Sequence, residues 1–285
     1  MRENDVLYEV MAGGVAKLTL NRVDARNAQD THMLYAIHDA FERAAHDADV
    51  KVIVLCANGP HFSAGNDLRE KDDVQNLAAH KTVGMWSDFA APGQEGMMAR
   101  EKEVYFGFAE RIRAIPKPTI AAVQGKCISG GLLVVWPCDI IIASDDATFQ
   151  DNTAIMGIPG VEWFAHPFEL GARKAKECLF TGDAISAEDA WRLGMVNHIV
   201  DRDKLMDDTL ALARRCAKNS SFALKLAKEA VNSFQDAQGR EAVKKSAFLA
   251  HQLGHSHSKE VYGMPIDPSR IDEKILAGTN YERRE

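Results

Sequence analysis

Nowhere does the chain hold the roughly 18 uninterrupted apolar residues that a membrane-spanning helix needs, so no membrane partner is expected. Long basic runs are missing as well. The formal net charge is −7, from 34 Lys and Arg against 41 Asp and Glu, which argues against a nucleic-acid partner. Cysteine is sparse, with five residues at Cys56, Cys127, Cys138, Cys178 and Cys216. An odd, scattered set without a CxxC pair speaks against a disulfide framework and against a metal site, and none of either is expected. It suits buried free thiols in a reducing cytoplasm. The opening residues, Met1 to Asp5, lack the apolar run of a signal peptide, so a cytoplasmic location is expected. No Gly-x-Gly-x-x-Gly follows an apolar strand, which disfavours dinucleotide binding.

What is present is enough apolar sequence for one sizeable core with an appendage: 285 residues, 46% of them hydrophobic. Residues 6–11 and 15–20 read as strands of a hairpin around Gly13 and Gly14. Met33, Ile37, Ala40, Phe41 and Ala44 recur at helical spacing and predict an amphipathic helix over 29–48. A buried strand at 50–57 ends in the turn of Asn58, Gly59 and Pro60. Residues 69–100 are the least regular stretch, and a loop this long inside a compact domain is usually functional or mobile. A helix over 98–114 stops before Pro116 and Pro118. Short strands at 139–143 and 147–150 follow. Next come helices at 172–180 and 186–193, the second capped by Ser186 with Asp189 and ended at Gly194. Beyond a short strand at 196–200 the chain is helical over 203–218, 220–233 and 238–257. A charged tail with Pro265 and Pro268 runs from Gly263 and is expected to be disordered or laid on a partner chain.

Two loops carry the chemistry. Residues 125–131 (GKCISGG) follow the apolar strand 119–123 and open an apolar helix, so free backbone N–H groups and the positive end of a helix dipole meet there. Glycine permits a ligand to come close to the backbone. That is a place for an anion, or for an oxyanion that forms during reaction. Residues 61–68 (HFSAGNDL) follow the strand 52–55 in the same way. Two such loops supply one N–H each to a single oxygen. Alone, either reads equally well as a tight turn.

Residues 62–68, residues 125–131, the strand 138–144 (CDIIIAS) and the segment 180–197 resemble, in this order, the motifs of the crotonase superfamily, the enoyl-CoA hydratase/isomerase family. The likeness spans about residues 5 to 235. It implies an α/β fold of the crotonase type: a spiral of ββα units with a C-terminal helical region that forms trimers, often paired into hexamers. It divides the chain into a CoA-binding core at 1–200, a helical region at 201–262 and a polar tail at 263–285. The implied substrate is an acyl-CoA thioester, with coenzyme A part of the substrate and no further cofactor. The implied oxyanion donors are the amides of Ala64 and Gly130. The segment 21–28 (NRVDARNA) lies along the CoA adenine and phosphates in that family, which points to Arg22, Ala25 and Arg26 for binding. Asn66, Asp67, Leu68 and Trp163 complete the expected contacts, although Asp67 reads first as a local backbone cap. Methionines and aromatics of 69–100 (Met85, Trp86, Phe89, Met97, Met98) suit the wall of an acyl pocket or a subunit contact.

The family pattern breaks at its acid and base. Family hydratases use two glutamates. Leu133 stands at the first position, and Thr153, or Asn152 with a shifted gap, at the second. Ordinary two-glutamate hydration is therefore in doubt. Glu162, flanked by Val161, Trp163 and Phe164, is the leading replacement, since desolvation raises a carboxyl pKa as a general acid/base requires. Asp151 and then His166 come next. Ser129 in CISGG invites comparison with a nucleophile elbow, but Cys127 replaces its first glycine. The readings are an enoyl-CoA hydratase/isomerase-type enzyme, another reaction on this fold such as thioester hydrolysis, or a silent acyl-CoA binder.

Overall fold

A computed structural model describes residues 5–71, 73–271 and 273–277. The expectations for residues 1–4 and for the tail beyond 277 lie outside the described residues. In chain order the strands are β1 Val6–Met11, β2 Val15–Leu20, β3 Val52–Ala57, β4 Thr119–Val123, β5 Lys126–Ile128, β6 Ile140–Ser144, β7 Thr148–Gln150, β8 Ile185–Ser186 and β9 His198–Val200. The helices are α1 Thr31–His46, α2 Asp73–Ala78, α3 Gln94–Glu101, α4 Phe108–Ala114, α5 Gly130–Val135, α6 His166–Thr181, α7 Ala187–Arg192, α8 Leu205–Ala217, α9 Ser221–Ala237, α10 Arg240–Tyr262 and α11 Glu273–Leu276.

A six-stranded sheet runs β1-β2-β3-β4-β6-β9, and a three-stranded sheet runs β5-β7-β8. The β1–β2 pair is the expected antiparallel hairpin, with Met11 opposite Val15, while β2, β3, β4, β6 and β9 pair in parallel. In the small sheet β5–β7 is parallel and β7–β8 antiparallel. Parallel strands need both faces covered, and their alternation divides the core accordingly. Val52, Val54, Ile120 and Ala122 face α8, against Leu205, Leu210 and Ala213. Ile53, Leu55, Ala121 and Val123 face the other way, into a larger core with Met33, Ile37 and Phe41 of α1. Helix α1 starts where Asp30 accepts the Met33 amide, and Ser186 caps α7 by accepting from Asp189, as its sequence predicts.

Two expectations change. Residues 94–114 form one continuous helical run, with a π-helical turn at Lys102–Gly107 between α3 and α4. The irregular segment is therefore shorter at its C-terminal end than composition implied, and Glu101 sits on a rigid element. The start of the segment after α10, expected to be disordered or laid on a partner chain, packs on its own chain. Met264 and Ile266 are buried, and the Asp267 amide donates to the Met156 carbonyl (2.8 Å). Its apolar residues fold back on their own chain. Among the described residues, no helix is long and apolar enough to cross a membrane.

The small sheet is tied to the larger core chiefly by Phe149 of β7, which is 1% exposed. Phe149→Ala is expected to cost about 3–5 kcal/mol of stability, read as a fall in the urea midpoint. A loss under about 1 kcal/mol would mean that this sheet is not packed as described.

Candidate functional site

The two glycine loops meet. Loop 62–67 runs beside β5 as a strand extension: Phe62 N donates to Gln124 O, Ser63 N to Lys126 O, and Ile128 N to Ser63 O. Its other edge is stitched to the segment before α1. Ala64 N donates to Arg26 O (2.9 Å), Gln29 N to Gly65 O, and Asp67 N to Gln29 O. Gly65 N donates to the Ser63 hydroxyl (3.1 Å). Every amide from Phe62 to Asp67 thus has an acceptor except that of Asn66, for which the described residues supply none. This corrects the expectation for Ala64, whose N–H is spent on the Arg26 carbonyl.

The Asn66 amide adjoins Gly130. A Cβ placed on Gly130 would lie 2.9 Å from Asn66 N and 2.1 Å from its Oδ1, so only glycine fits. The Asn66 Oδ1 is buried without a donor. Gly65, at φ +91°, would press a Cβ to 2.8 Å from Ile128 O. Ser129, immediately before Gly130, is held at φ 42°, ψ −102°, a conformation that costs a non-glycine residue about 1–3 kcal/mol. Its amide donates to Gln150 O (2.8 Å) and its hydroxyl to Asn152 Oδ1 (2.6 Å). The hydroxyl has no histidine partner here, so the nucleophile-elbow comparison gains no support.

Asn66 opens on a cavity of about 380 Å³, whose wall includes Asp67, Leu68, Met97, Thr153, Glu162 and His251. Glu162 is 3% exposed. Burial, and then the charge of Glu101, push its carboxyl well above the ordinary carboxylate range, as its apolar neighbours led us to expect. Its Oε1 lies 3.8 Å from His251 Nε2. Glu101 and His255 also line this cavity, and sequence reasoning passed over both. The spacing of His251 and His255, one helical turn apart on α10, was the available signal. Burial alone would raise the Glu101 carboxyl, but His255, His251 and a hydrogen bond from Gln252 hold it low.

Other expected residues are placed differently. Leu133 is buried in the core, and the Thr153 hydroxyl is tied to Asp151. Asp151 is not in the cavity wall. One of its oxygens accepts from the Thr153 amide and hydroxyl, and the other from the Val161 amide and His166 Nε2 (2.8 Å). With both oxygens engaged, it is a brace for residues 151–166. Trp163 is fully buried, with its indole N–H donated to Glu110 and with Arg240 and Lys244 over its ring, so it does not reach a substrate. Arg22 turns inward to Asp67 (2.9 Å), Asp30 (3.2 Å) and the Ala28 carbonyl, so its charge is spent within the chain. Asp67 also accepts from the Arg69 amide, as a local cap. Ala25 is half-buried and donates its amide to Arg22 O. Arg26 is exposed. Burial first, then Lys126, Arg26 and Arg202, lower the pKa of His61, which marks a cationic rim beside the first loop. Met85 is almost fully exposed, and of the expected aromatic and methionine wall Met97 alone lines this cavity. A separate cavity of about 430 Å³, bounded by Arg113, Asp139 and Lys228, holds none of the expected site residues.

A model of the enoyl-CoA hydratase/isomerase family matches residues 11–265. A protein of Mycobacterium tuberculosis, provisionally named an enoyl-CoA hydratase, is 41% identical over 94% of this chain and 86% of its own length. The short-chain-enoyl-CoA hydratase of Clostridium acetobutylicum is 31% identical over 81% of this chain and 82% of its own. A crystal structure described as a probable enoyl-CoA hydratase from Mycobacterium thermoresistibile superposes with a TM-score of 0.84 at 47% identity, covering 93% of this chain and 100% of that one.

Asp151 yields a test of its bracing role. Burial raises its pKa, but the bonds from His166 and Thr153 outweigh burial and hold it below the ordinary value. Its stabilisation is therefore fully present above the unfolded value, near 4, and is lost as pH falls through the folded value. Asp151→Asn is expected to cost about 3 kcal/mol at neutral pH and to flatten the stability loss on acidification below about pH 4. Denaturant midpoints at neutral and acid pH measure both, and an unchanged acid slope would refute the assignment.

Proposed function

We propose that this chain, which belongs to the enoyl-CoA hydratase/isomerase family, stabilises the enolate oxygen of an acyl-CoA thioester between the amides of Asn66 and Gly130. A thioester acidifies its α-carbon, and an unsaturated acyl chain accepts addition at its β-carbon. Both reactions put negative charge on the thioester oxygen, where two fixed N–H donors lower the barrier. The observation that carries the reading is the hydrogen-bond accounting of the first loop. Five of six consecutive amides are engaged, and the remaining one adjoins Gly130 at the mouth of a cavity.

Glu162 is the acid/base. It is a buried carboxyl in the wall of the same cavity, with no arginine or lysine on it among the described residues. One such group suffices for double-bond migration, since it removes a proton from one carbon and returns it to another. Isomerisation is therefore the reaction these residues support best. The names of the relatives favour hydration, which additionally needs a positioned water. Arg26 and the adjacent Lys126 are the cations available to the CoA phosphates, with Leu68 and Met97 along the acyl chain. Coenzyme A arrives as part of the substrate. We place the protein in the cytoplasm, as a homotrimer or a dimer of trimers. Phe222, Leu226, Val231 and Phe234 of α9, each more than half exposed, support a subunit contact there.

A steady-state assay on 2- and 3-enoyl-CoAs, following the conjugated thioester absorbance, separates the reactions. Gain from 3-enoyl substrates means isomerisation, and loss from 2-enoyl substrates means hydration. Gly130→Ala is expected to lower turnover about 10²–10³-fold. Glu162→Gln is expected to lower it by a similar factor or more, with CoA-ester binding retained. Saturable binding with no turnover on any chain length would sink the catalytic reading.

A further inference from the structure

Three basic or acidic side chains converge beside the cavity with too few protons between them. His251 and His255 lie one turn apart on α10, and Glu101 ends α3. All three are buried. His251 Nδ1 stands 2.7 Å from the Gly160 carbonyl, and His255 Nδ1 stands 2.6 Å from the Pro265 carbonyl. A carbonyl only accepts, so each Nδ1 carries its proton and donates it. Each Nε2 is then left as a lone pair unless the ring is doubly protonated. The two Nε2 atoms nevertheless lie 2.9 Å apart. His255 Nε2 is 3.2 Å from Glu101 Oε1, and His251 Nε2 is 3.5 Å from Glu101 Oε2. Four acceptor atoms, the two Nε2 nitrogens and both Glu101 oxygens, thus crowd together, and a shared cation would satisfy them.

A single proton on His255 meets this need only in part, because it cannot point at His251 and at Glu101 together. A metal ion meets all three residues. Ligand bonds of about 2.0–2.2 Å in tetrahedral geometry separate ligand atoms by about 3.3–3.6 Å. The two Nε2 atoms are 2.9 Å apart, each has a Glu101 oxygen at 3.2 or 3.5 Å, and one ligand atom from each residue lies within 4.8 Å of the others. The orientation of both rings by carbonyls on their far nitrogens is the arrangement that fixes a metal-binding tautomer. Gln252 donates to Glu101 Oε2 (2.5 Å) and steadies the carboxylate. Imidazole and carboxylate donors together select the zinc class over magnesium or calcium.

We infer that Glu101, His251 and His255 form a binding site for one divalent transition-metal ion of the zinc class, with its remaining position facing the cavity. The absence of cysteine motifs led to the opposite expectation, but no thiolate takes part. The inference does not depend on the acyl-CoA reading.

The test uses the full chain, stripped with a chelator and dialysed. Titration with Zn²⁺ by calorimetry, and with Co²⁺ by its visible d–d absorption, is expected to give one ion per chain. The Co²⁺ band intensity should be that of a four- or five-coordinate site. His251→Ala and Glu101→Gln are expected to weaken Zn²⁺ binding by on the order of 100-fold or more. His257→Ala, an exposed histidine on the same helix, is expected to leave it unchanged. Glu101→Gln keeps the side-chain shape, so it serves if the alanine variant does not fold, with circular dichroism reporting the fold. Wild-type protein that takes up no Zn²⁺ or Co²⁺ would overturn the inference and leave a protonated Glu101–His255 pair. Uptake that is equal in wild type, His251→Ala and Glu101→Gln would overturn it as well.

Discussion

The site depends on where backbone amides find acceptors. Loop 62–67 lies between two partners: residues 124–126 at the start of β5 take the Phe62 and Ser63 amides, the segment before α1 takes those of Ala64 and Asp67, and the Ser63 hydroxyl takes that of Gly65. A loop held on one side only would leave several amides to water. Held on both sides, it has one amide over, that of Asn66, and the same ties bring this amide against Gly130. The glycines follow from this closeness. Gly65 and Gly130 are positions where a Cβ would meet backbone atoms under 3 Å away. The positive φ of Ser129 belongs to the same constraint, because its amide and hydroxyl are both held by the strand-end residues Gln150 and Asn152.

A second constraint is the handling of buried charge. His166 Nε2 and the amides of Thr153 and Val161 all engage the buried Asp151 carboxylate. This fixes the path from β7 to α6 and so carries Glu162 to the cavity wall. Beside Glu162, Glu101 and the two histidines join α10 to α3. Burying an unpaired charge costs several kcal/mol, so the positions of α3, α10 and the 151–166 segment are coupled through these groups. The cavity is therefore walled by elements from three distant parts of the chain.

Much of the fold was legible because it rests on local periodicity. Alternation in the strands, helical spacing in α1, the Ser186 cap and the glycine-rich loops all report short-range geometry. The family likeness rests on the order of those same motifs. Individual side-chain roles were less legible. Arg22 reads as a phosphate ligand until Asp67 and Asp30 are seen beside it, and Trp163 reads as a pocket wall until its indole is found donated to Glu110. Ala64 and Asn66 stand two residues apart in one motif, and only the Arg26 carbonyl distinguishes them.

By itself the sequence determined the fold class, the two loops that meet at the site and the apolar neighbours of Glu162. These follow from residue type and from neighbours within a few positions. Tertiary structure alone decided which amide stays unengaged, that Asp151 is a brace, and that Glu101, His251 and His255 share one point. Those facts depend on contacts between residues up to about 150 positions apart. No local pattern encodes such contacts, because packing, not spacing, chooses the partner of each polar atom.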